Sequence, residues 1–547
     1  MKKIVKLALT AAAVLIAVVG LVACSSGSKK SDFSESGKEK VFYLSGFLQG
    51  TGDRIPYVWQ NGDGLVPYLL YRTLLMADSK YEKSTPDLAK DWKKSDDEKT
   101  YEFTLKEFTL KDGLKWSDGE ALTASDVEFS VKLALKASVI NGIFPSTFTK
   151  IEGAKDFKDD KADKISGLTV DGNKVTFKLT APVGDFEQMM TQFFILPKHK
   201  LESENPLELN NSSFWTAPVT SGMYKVKEIS AGNFLEYDKN ENYENEKPKF
   251  DKVVFNYISD PVLALQDGKS YFYSTNKPQE ISQLDAVSTL SKKPIDILFY
   301  RYFIANLAGV EGNGDSLIAN PKVREAILYA INRDELAKSV FSGIADVNNT
   351  GVPSSLEAHL KSANKFEYNP EKAKQLLKEA KYDNSRNLIL AYYYKDQASQ
   401  DFMQAVSYQL NEVGIKNEVV QITSDATTGL FKTRKYDLAY KGLSSFGYET
   451  WYGEYSSTNT NFKNITNGET SFDELSKKLS ETSDVKERNK ILASLQKLEQ
   501  EKLLKLNLFT FKNFLYLNTE KVLIPDDVQF GNPFYKFDYK FEKWDAK

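Results

Sequence analysis

Cysteine is almost missing from this chain. Cys24 is the only one among 547 residues, so the rest of the protein has no thiol to oxidise and no disulfide to form. Histidine is nearly as scarce, with only His199 and His359. No Ser-His-acid set, phosphate-binding glycine loop or metal-ligand spacing stands out, which argues against catalysis. We therefore expect no catalytic residue, no metal ligand and no cofactor. Two histidines also supply too little for direct nickel coordination. A positive excess is missing too: 72 Lys and Arg face 75 Asp and Glu, for a formal charge of −3. Nucleic acid is accordingly not an expected partner. Acid pairs such as Asp159-Asp160 read as solvated surface.

The N-terminal segment is a pattern in its own right. Lys2, Lys3 and Lys6 precede an uncharged run from Leu7 to Val22, and small residues lead into Cys24. This is the layout of an export signal. The run falls slightly short of the roughly 20 apolar residues of a spanning helix, although an uncleaved anchor is the competing reading. Leu21-Val22-Ala23-Cys24 resembles the lipobox of bacterial lipoproteins. That resemblance implies a diacylglycerol on the Cys24 thiol, cleavage just before it, and retention on the outer face of a membrane. The stretch from Ser25 to about Lys40 is rich in Ser, Gly and Lys and reads as a flexible tether.

Beyond it the chain is long and aromatic. With 29 Tyr and 34 Phe, much ring surface must be buried or meet something flat and apolar, and the length suggests two or more domains. Strand and helix signals mix. Tyr101, Phe103 and Leu105 alternate, as do Val175, Phe177 and Leu179. Asn320-Pro321 and Asn369-Pro370 each open an apolar-faced helix with an Asn cap and a Pro in first position. Ser471-Phe472-Asp473-Glu474 reads as a capping box before Leu475 and Leu479. Long helices cluster after residue 315, while strands dominate before it. The five letters of Glu102 to Lys106 repeat at Glu107 to Lys111. An odd insertion cannot keep one strand face inward, so a bulge or break is expected near Lys106.

Gly113-Leu114-Lys115-Trp116-Ser117-Asp118-Gly119, followed by Leu122 to Val127, reads as a strand end, a tight turn and a helix start. Thr123 and Asp126 make a capping box. The same stretch resembles the signature of the family 5 extracellular solute-binding proteins, the oligopeptide-binding proteins of ABC transporters. Further segments agree in order: Pro86-Asp87-Leu88-Ala89 with Trp92, the strand-to-helix passage Ile195 to His199, and Ser221-Gly222-Met223-Tyr224. Asn320 to Arg333, Tyr368 to Ala373 and Tyr436-Asp437-Leu438-Ala439 follow. The resemblance implies a mixed α/β, two-lobed clamp with an extra domain inserted in lobe one. The expected boundaries are 1–23 signal peptide, 24–40 tether, 41–75 lobe one, 76–189 inserted small domain, 190–293 lobe one again, 294–504 lobe two and 505–547 a return to lobe one. The implied partners are an oligopeptide, a permease and an ATPase. The expected location is the extracellular face of the cell membrane, lipid-anchored, in a Gram-positive bacterium, and the expected state is a monomer.

In this family the peptide is held mostly by its main chain, as an added strand, with wet pockets around its side chains. Many members bind the amino end through an aspartate a few residues after a Gly-Trp pair. Here the segment reads Gly442-Leu443-Ser444-Ser445-Phe446-Gly447-Tyr448-Glu449. Leu443 replaces the tryptophan and the aspartate is missing. An ammonium without a counter-charge in a closed cleft is costly. Either Glu449 takes the role, or the ligand's amino end is absent, blocked or solvated; a solvated loop acid is the competing reading of Glu449. Tyr300 and Tyr302 share one strand face, opposite Arg301 and Phe303. They line the cleft or pack at the hinge. Tyr440, Trp451 and Tyr452 are further candidates for either place. A different solute, such as an oligosaccharide or metal chelate, and a peptide-signal receptor uncoupled from transport are the alternatives.

Overall fold

The computed structural model describes residues 39–46, 53–55, 57–60, 64–95, 100–105, 113–445 and 447–547. Cys24, the signal and most of the tether lie outside these residues. No helix among the described residues is long and apolar enough to cross a membrane.

The fold is organised by one sheet of eleven strands. At one end lie Asn417–Gln421, Leu388–Tyr392 and Leu438–Ser444, which are mutually parallel. At the other end lie Val41–Gly46, Lys252–Tyr257, Phe234–Lys239 and Tyr224–Ser230. Two long antiparallel strands, Leu290–Ala305 and Lys505–Asn518, join these ends. They pair once from Leu290 to Asp296 and again from Tyr300 to Ile304, and the register shifts between Asp296 and Tyr300. A bulge kinks and twists a strand where it occurs, and here it stands at the joint between the two halves of the sheet.

Each half has its own core. Around the first half, Phe42, Trp59, Trp116, Trp215, Phe541 and Trp544 belong to one apolar cluster. In the second half the sheet is buried on both faces, as parallel strands generally are. Phe303, Leu390, Phe402 and Phe509 pack on one side, and Tyr300, Tyr302, Trp451 and Leu495 on the other. A separate four-stranded sheet forms in the order Ala89–Lys94, Thr100–Leu105, Lys174–Lys178, Leu168–Asp171. The described strand is Thr100–Leu105; the expected bulge or break near Lys106 and the second copy lie outside the described residues.

Local signals account for the helix starts. Asn320 accepts from the Lys322 amide at 3.0 Å and Asn369 from the Lys372 amide at 2.9 Å, starting Pro321–Ala330 and Pro370–Ala380. Asp126 receives the Thr123 amide at 2.8 Å and the Lys198 amide at 2.9 Å. The turn around Ser117 is stitched to Thr220 by two bonds, at 2.8 and 2.9 Å. The Gly113 to Val127 stretch is thus a structural knot that fixes three separated segments.

Two expectations are corrected. Ser471 does not cap: the helix is Asp473–Glu481 and its N-cap is Phe472, without a capping bond. The buried Phe472 ring stacks on Tyr455 at 4.3 Å, and Asp473 is taken by the amide and hydroxyl of Ser457 at 2.8 and 2.5 Å. Ile195 and Leu196 form no strand. Their amides are taken by Arg72 O at 3.0 Å and Ser130 Oγ at 2.9 Å.

Candidate functional site

The strand Leu438–Ser444 leads to the site and is anchored at its start. Asp437 is fully buried, accepts both Arg386 Nη atoms at 2.7 Å, and takes the Ile389 amide at 2.9 Å. The strand therefore leaves the core at a fixed register, and its far end opens into the turn before the helix Tyr448–Gly453. Ligands of open α/β sheets collect outside the carboxyl ends of parallel strands.

A cavity of about 260 Å³ lies there. Ser445, Gly447, Tyr448, Glu449, Leu356 and Arg488 wall it from the second half. Tyr81, Glu82, Asp185, Gln188, Asn532 and Tyr535 wall it from the first. Pro294 to Asp296 and Leu298, beside the strand bulge, form its floor at the joint. The halves also touch directly: the Gly184 amide donates to Ser480 O at 2.7 Å, and a hydrogen bond links Ser444 with Tyr535.

The expected site residues separate into groups. Ser445, Tyr448 and Glu449 face the cavity, with Gly447 beside them. Burial, with Glu82 and Glu449 nearby, raises the Tyr448 phenol well above its ordinary range, so it stays a neutral donor and acceptor. Glu449 is no solvated loop acid, because it is ion-paired with Arg488. Gly442 is half-buried for a steric reason: a Cβ would run into the Arg301 guanidinium and the Tyr394 hydroxyl. Leu443 packs on the second-half core, while Ser444 is exposed at the strand end. Phe446 lies outside the described residues.

Tyr300, Tyr302 and Tyr440 are fully buried and do not border the cavity. Tyr300 donates to Gly351 O at 2.8 Å and lies 4.3 Å from the Trp451 ring. Tyr302 donates to Glu454 at 2.6 Å and accepts from Lys441 at 2.7 Å. Tyr440 packs on Phe402 at 4.8 Å. Trp451 and Tyr452 donate to the buried Glu499 at 3.0 and 3.1 Å, which also takes Tyr455, Asn507 and the Gly351 amide. Of the two places the sequence left open, the packed one holds for these aromatics.

Asp185, Gln188, Arg488 and Tyr535 were missed. They arrive from three distant parts of the chain, and Val183-Gly184-Asp185 before an apolar run reads as an ordinary helix start. The two histidines are engaged elsewhere: His199 Nε2 lies 2.9 Å from Asp118, and His359 Nδ1 lies 2.8 Å from Val352 O. Among the described residues no group of three or more His, Cys, Asp or Glu is arranged to hold a metal ion.

The sequence of bacterial extracellular solute-binding proteins, family 5, matches residues 83–471. The chain belongs to that family. A Brucella ovis protein named as a candidate ABC transporter peptide-binding protein is 28% identical over 377 residues, 66% of this chain and 64% of that protein; the match thus leaves about a third of the relative's length outside it. The oligopeptide-binding protein AppA of Bacillus subtilis, solved with a nonapeptide, superposes with a TM-score of 0.65 at 22% identity, covering 93% of this chain and 99% of that one. NikZ of Campylobacter jejuni, solved with Ni(L-His), gives 0.65 at 20% identity over 93% and 99%. The fold is the two-lobed clamp of solute-binding proteins, and the strands Leu290–Ala305 and Lys505–Asn518 are its crossing segments. Members of family 5 are extracellular solute-binding proteins.

Proposed function

We propose that the protein captures peptides between its two lobes and presents them to the permease of an ABC importer, whose ATPase drives uptake. The observation that carries this reading is the cavity walled from both lobes, at the carboxyl end of the parallel strands. A solute held there touches Ser445, Tyr448 and Glu449 on one side and Gln188 and Tyr535 on the other. Its binding is therefore linked to how the lobes meet, and a permease that reads the closed form reads occupancy. The nonapeptide bound to AppA and the peptide-binding name of the Brucella ovis relative support a peptide. The nickel chelate on NikZ supports the second reading, which the engagement of both histidines outside the cavity disfavours. We further propose that 76–189 forms a small domain within lobe one, and that Cys24 carries the lipid that keeps the monomer at the membrane of a Gram-positive cell. Two or three acyl chains hold a protein firmly where one does not.

Native mass spectrometry of the protein as purified is the test. We expect a family of peptide masses released on denaturation. Release of sugars or of a nickel complex alone refutes the peptide reading.

A further inference from the structure

Six charged side chains line the cavity: Lys80, Glu82, Asp185, Asp296, Glu449 and Arg488. Two of them neutralise each other, since Glu449 is paired with Arg488 and both are largely buried. Arg488 is further occupied, with Nη1 donating to Leu479 O at 3.2 Å and to Thr482 O at 3.0 Å.

Asp185 is in a different position. It directly precedes the helix Phe186–Gln192, where an aspartate ordinarily turns its carboxylate onto the first free amides. Its side chain makes no such bond. Among the described residues that carboxylate takes a hydrogen bond only from its own backbone amide, and no ion pair closes on it. Three residues on, and so on the same helix face, the Gln188 side-chain oxygen is buried and also lacks a donor. Two acceptors thus stand side by side on the wall of a solute cavity, one with only its own amide as donor and the other with none. Burial first, and then the charge of Glu449, push the Asp185 carboxyl up to about 6, against the opposing pull of Lys150 and Arg488. At neutral pH the site holds an ionised, half-buried acceptor, an arrangement that a proton-rich cation relieves.

We infer that Asp185, assisted by the Gln188 carbonyl oxygen, binds an ammonium group of the captured solute. The inference rests on the solute-capture reading above. It places the counter-charge on the first lobe, across the cavity from the segment after Leu438–Ser444 that lacks its aspartate. Glu449 is already neutralised and acts as a fixed half of an ion pair. The ammonium belongs either to a peptide's amino end or to a lysine side chain.

Isothermal titration with three probes separates these sources: tetra-alanine, N-acetyl-tetra-alanine, and N-acetyl-Ala-Lys-Ala-Ala. At pH 7.5 the wild-type protein binds tetra-alanine at least about tenfold more tightly than its acetylated form; if the lysine side chain is the source, the third probe shows that advantage instead. The groups facing Asp185 are Glu449, Arg488 and Lys150, with Lys80, Glu82 and Asp296 on the same wall. At pH 5.0, one unit below its titration point, Asp185 is roughly nine-tenths protonated and the advantage shrinks several-fold. Asp185→Asn, close in shape, abolishes the advantage at both pH values, and Gln188→Ala reduces it.

Equal binding of all three probes by the wild type overturns the inference while the peptide reading stands. So does an Asp185→Asn variant that keeps the discrimination, or a Glu449→Gln variant that loses it while Asp185→Asn does not. If no probe binds, the co-purifying solute decides both the peptide reading and the inference. A solute without a cationic nitrogen overturns it. One that carries such a nitrogen, and is absent from Asp185→Asn preparations, supports it.

Discussion

Gly184 is where a single methyl group tests whether the two lobes must touch for capture. Its amide donates to Ser480 O at 2.7 Å, and a Cβ built on it would stand 2.5 Å from Thr482 O and 3.1 Å from Arg488 Nη1. Ordinary contact begins near 3.4 Å, so Gly184→Ala forces the two backbones about 0.9 Å apart. That displacement takes the amide bond beyond hydrogen-bonding range, with a net loss of about 1 kcal/mol, and surrounding contacts loosen with it. A total of about 1–2 kcal/mol against the touching state shifts its population by a factor of roughly 5–30. Apparent affinity falls by up to that factor, because only the competent fraction holds solute. The cores of the two lobes are untouched, so the melting temperature of the ligand-free protein stays within a degree or two. The assays are titration calorimetry with tetra-alanine and hydrogen exchange at the Gly184 amide, whose protection on ligand addition is lost. The preference for a free amine persists, which distinguishes weakened closure from a displaced Asp185. Wild-type affinity and wild-type protection in Gly184→Ala would refute the reasoning.

Removing the Glu499 side chain leaves donors from Trp451, Tyr452, Tyr455, Asn507 and the Gly351 amide without an acceptor; Glu499→Ala lowers the unfolding free energy by about 3–5 kcal/mol, read by urea denaturation. Asp126→Ala breaks the capping box and frees the Lys198 amide, for a loss of about 1–2 kcal/mol in the same assay. Burial, and then the charge of Glu449, push the Asp185 carboxyl up to about 6, against 3.8 for a free aspartate side chain. The folded state therefore binds the extra proton in that window, and stability falls as pH rises through it. Asp185→Asn accordingly raises the melting temperature of the ligand-free protein at pH 7.5 and leaves it unchanged below pH 4. Lys505 is pulled down to about 8 by burial, against the attraction of Glu454. The unfolded chain holds more protons between pH 8 and 10.5, so this group's contribution to stability rises across that window; Lys505→Met flattens the rise in denaturation midpoints.

Local signals with one physical meaning were legible in advance. The Asn-Pro starts at 320 and 369, and the Thr123–Asp126 box, depend only on neighbours in sequence, and they stand as read. Ser471 failed because the decisive partners were distant: Ser457 for the carboxylate of Asp473, and Tyr455 for the ring of Phe472. The same limit applies at the site. Ser445, Tyr448 and Glu449 border the cavity together because one stretch carries them. Asp185 and Arg488 come together only in three dimensions, and nothing in their neighbours marks them. Tyr300 and Tyr302 were assigned a shared face correctly, but alternation cannot say whether that face meets a cavity or a core; Trp451 and Glu454 decide it.

The strand Lys505–Asn518 lies between Leu290–Ala305 and Phe272–Thr275, in the interior of the great sheet, although both neighbours stand far earlier in the chain. Until it takes its place, the sheet has a gap and its neighbours present bare edges. Pairings gathered over so long a stretch of chain cost closure entropy before they reward it, and the sheet folds slowly for that reason.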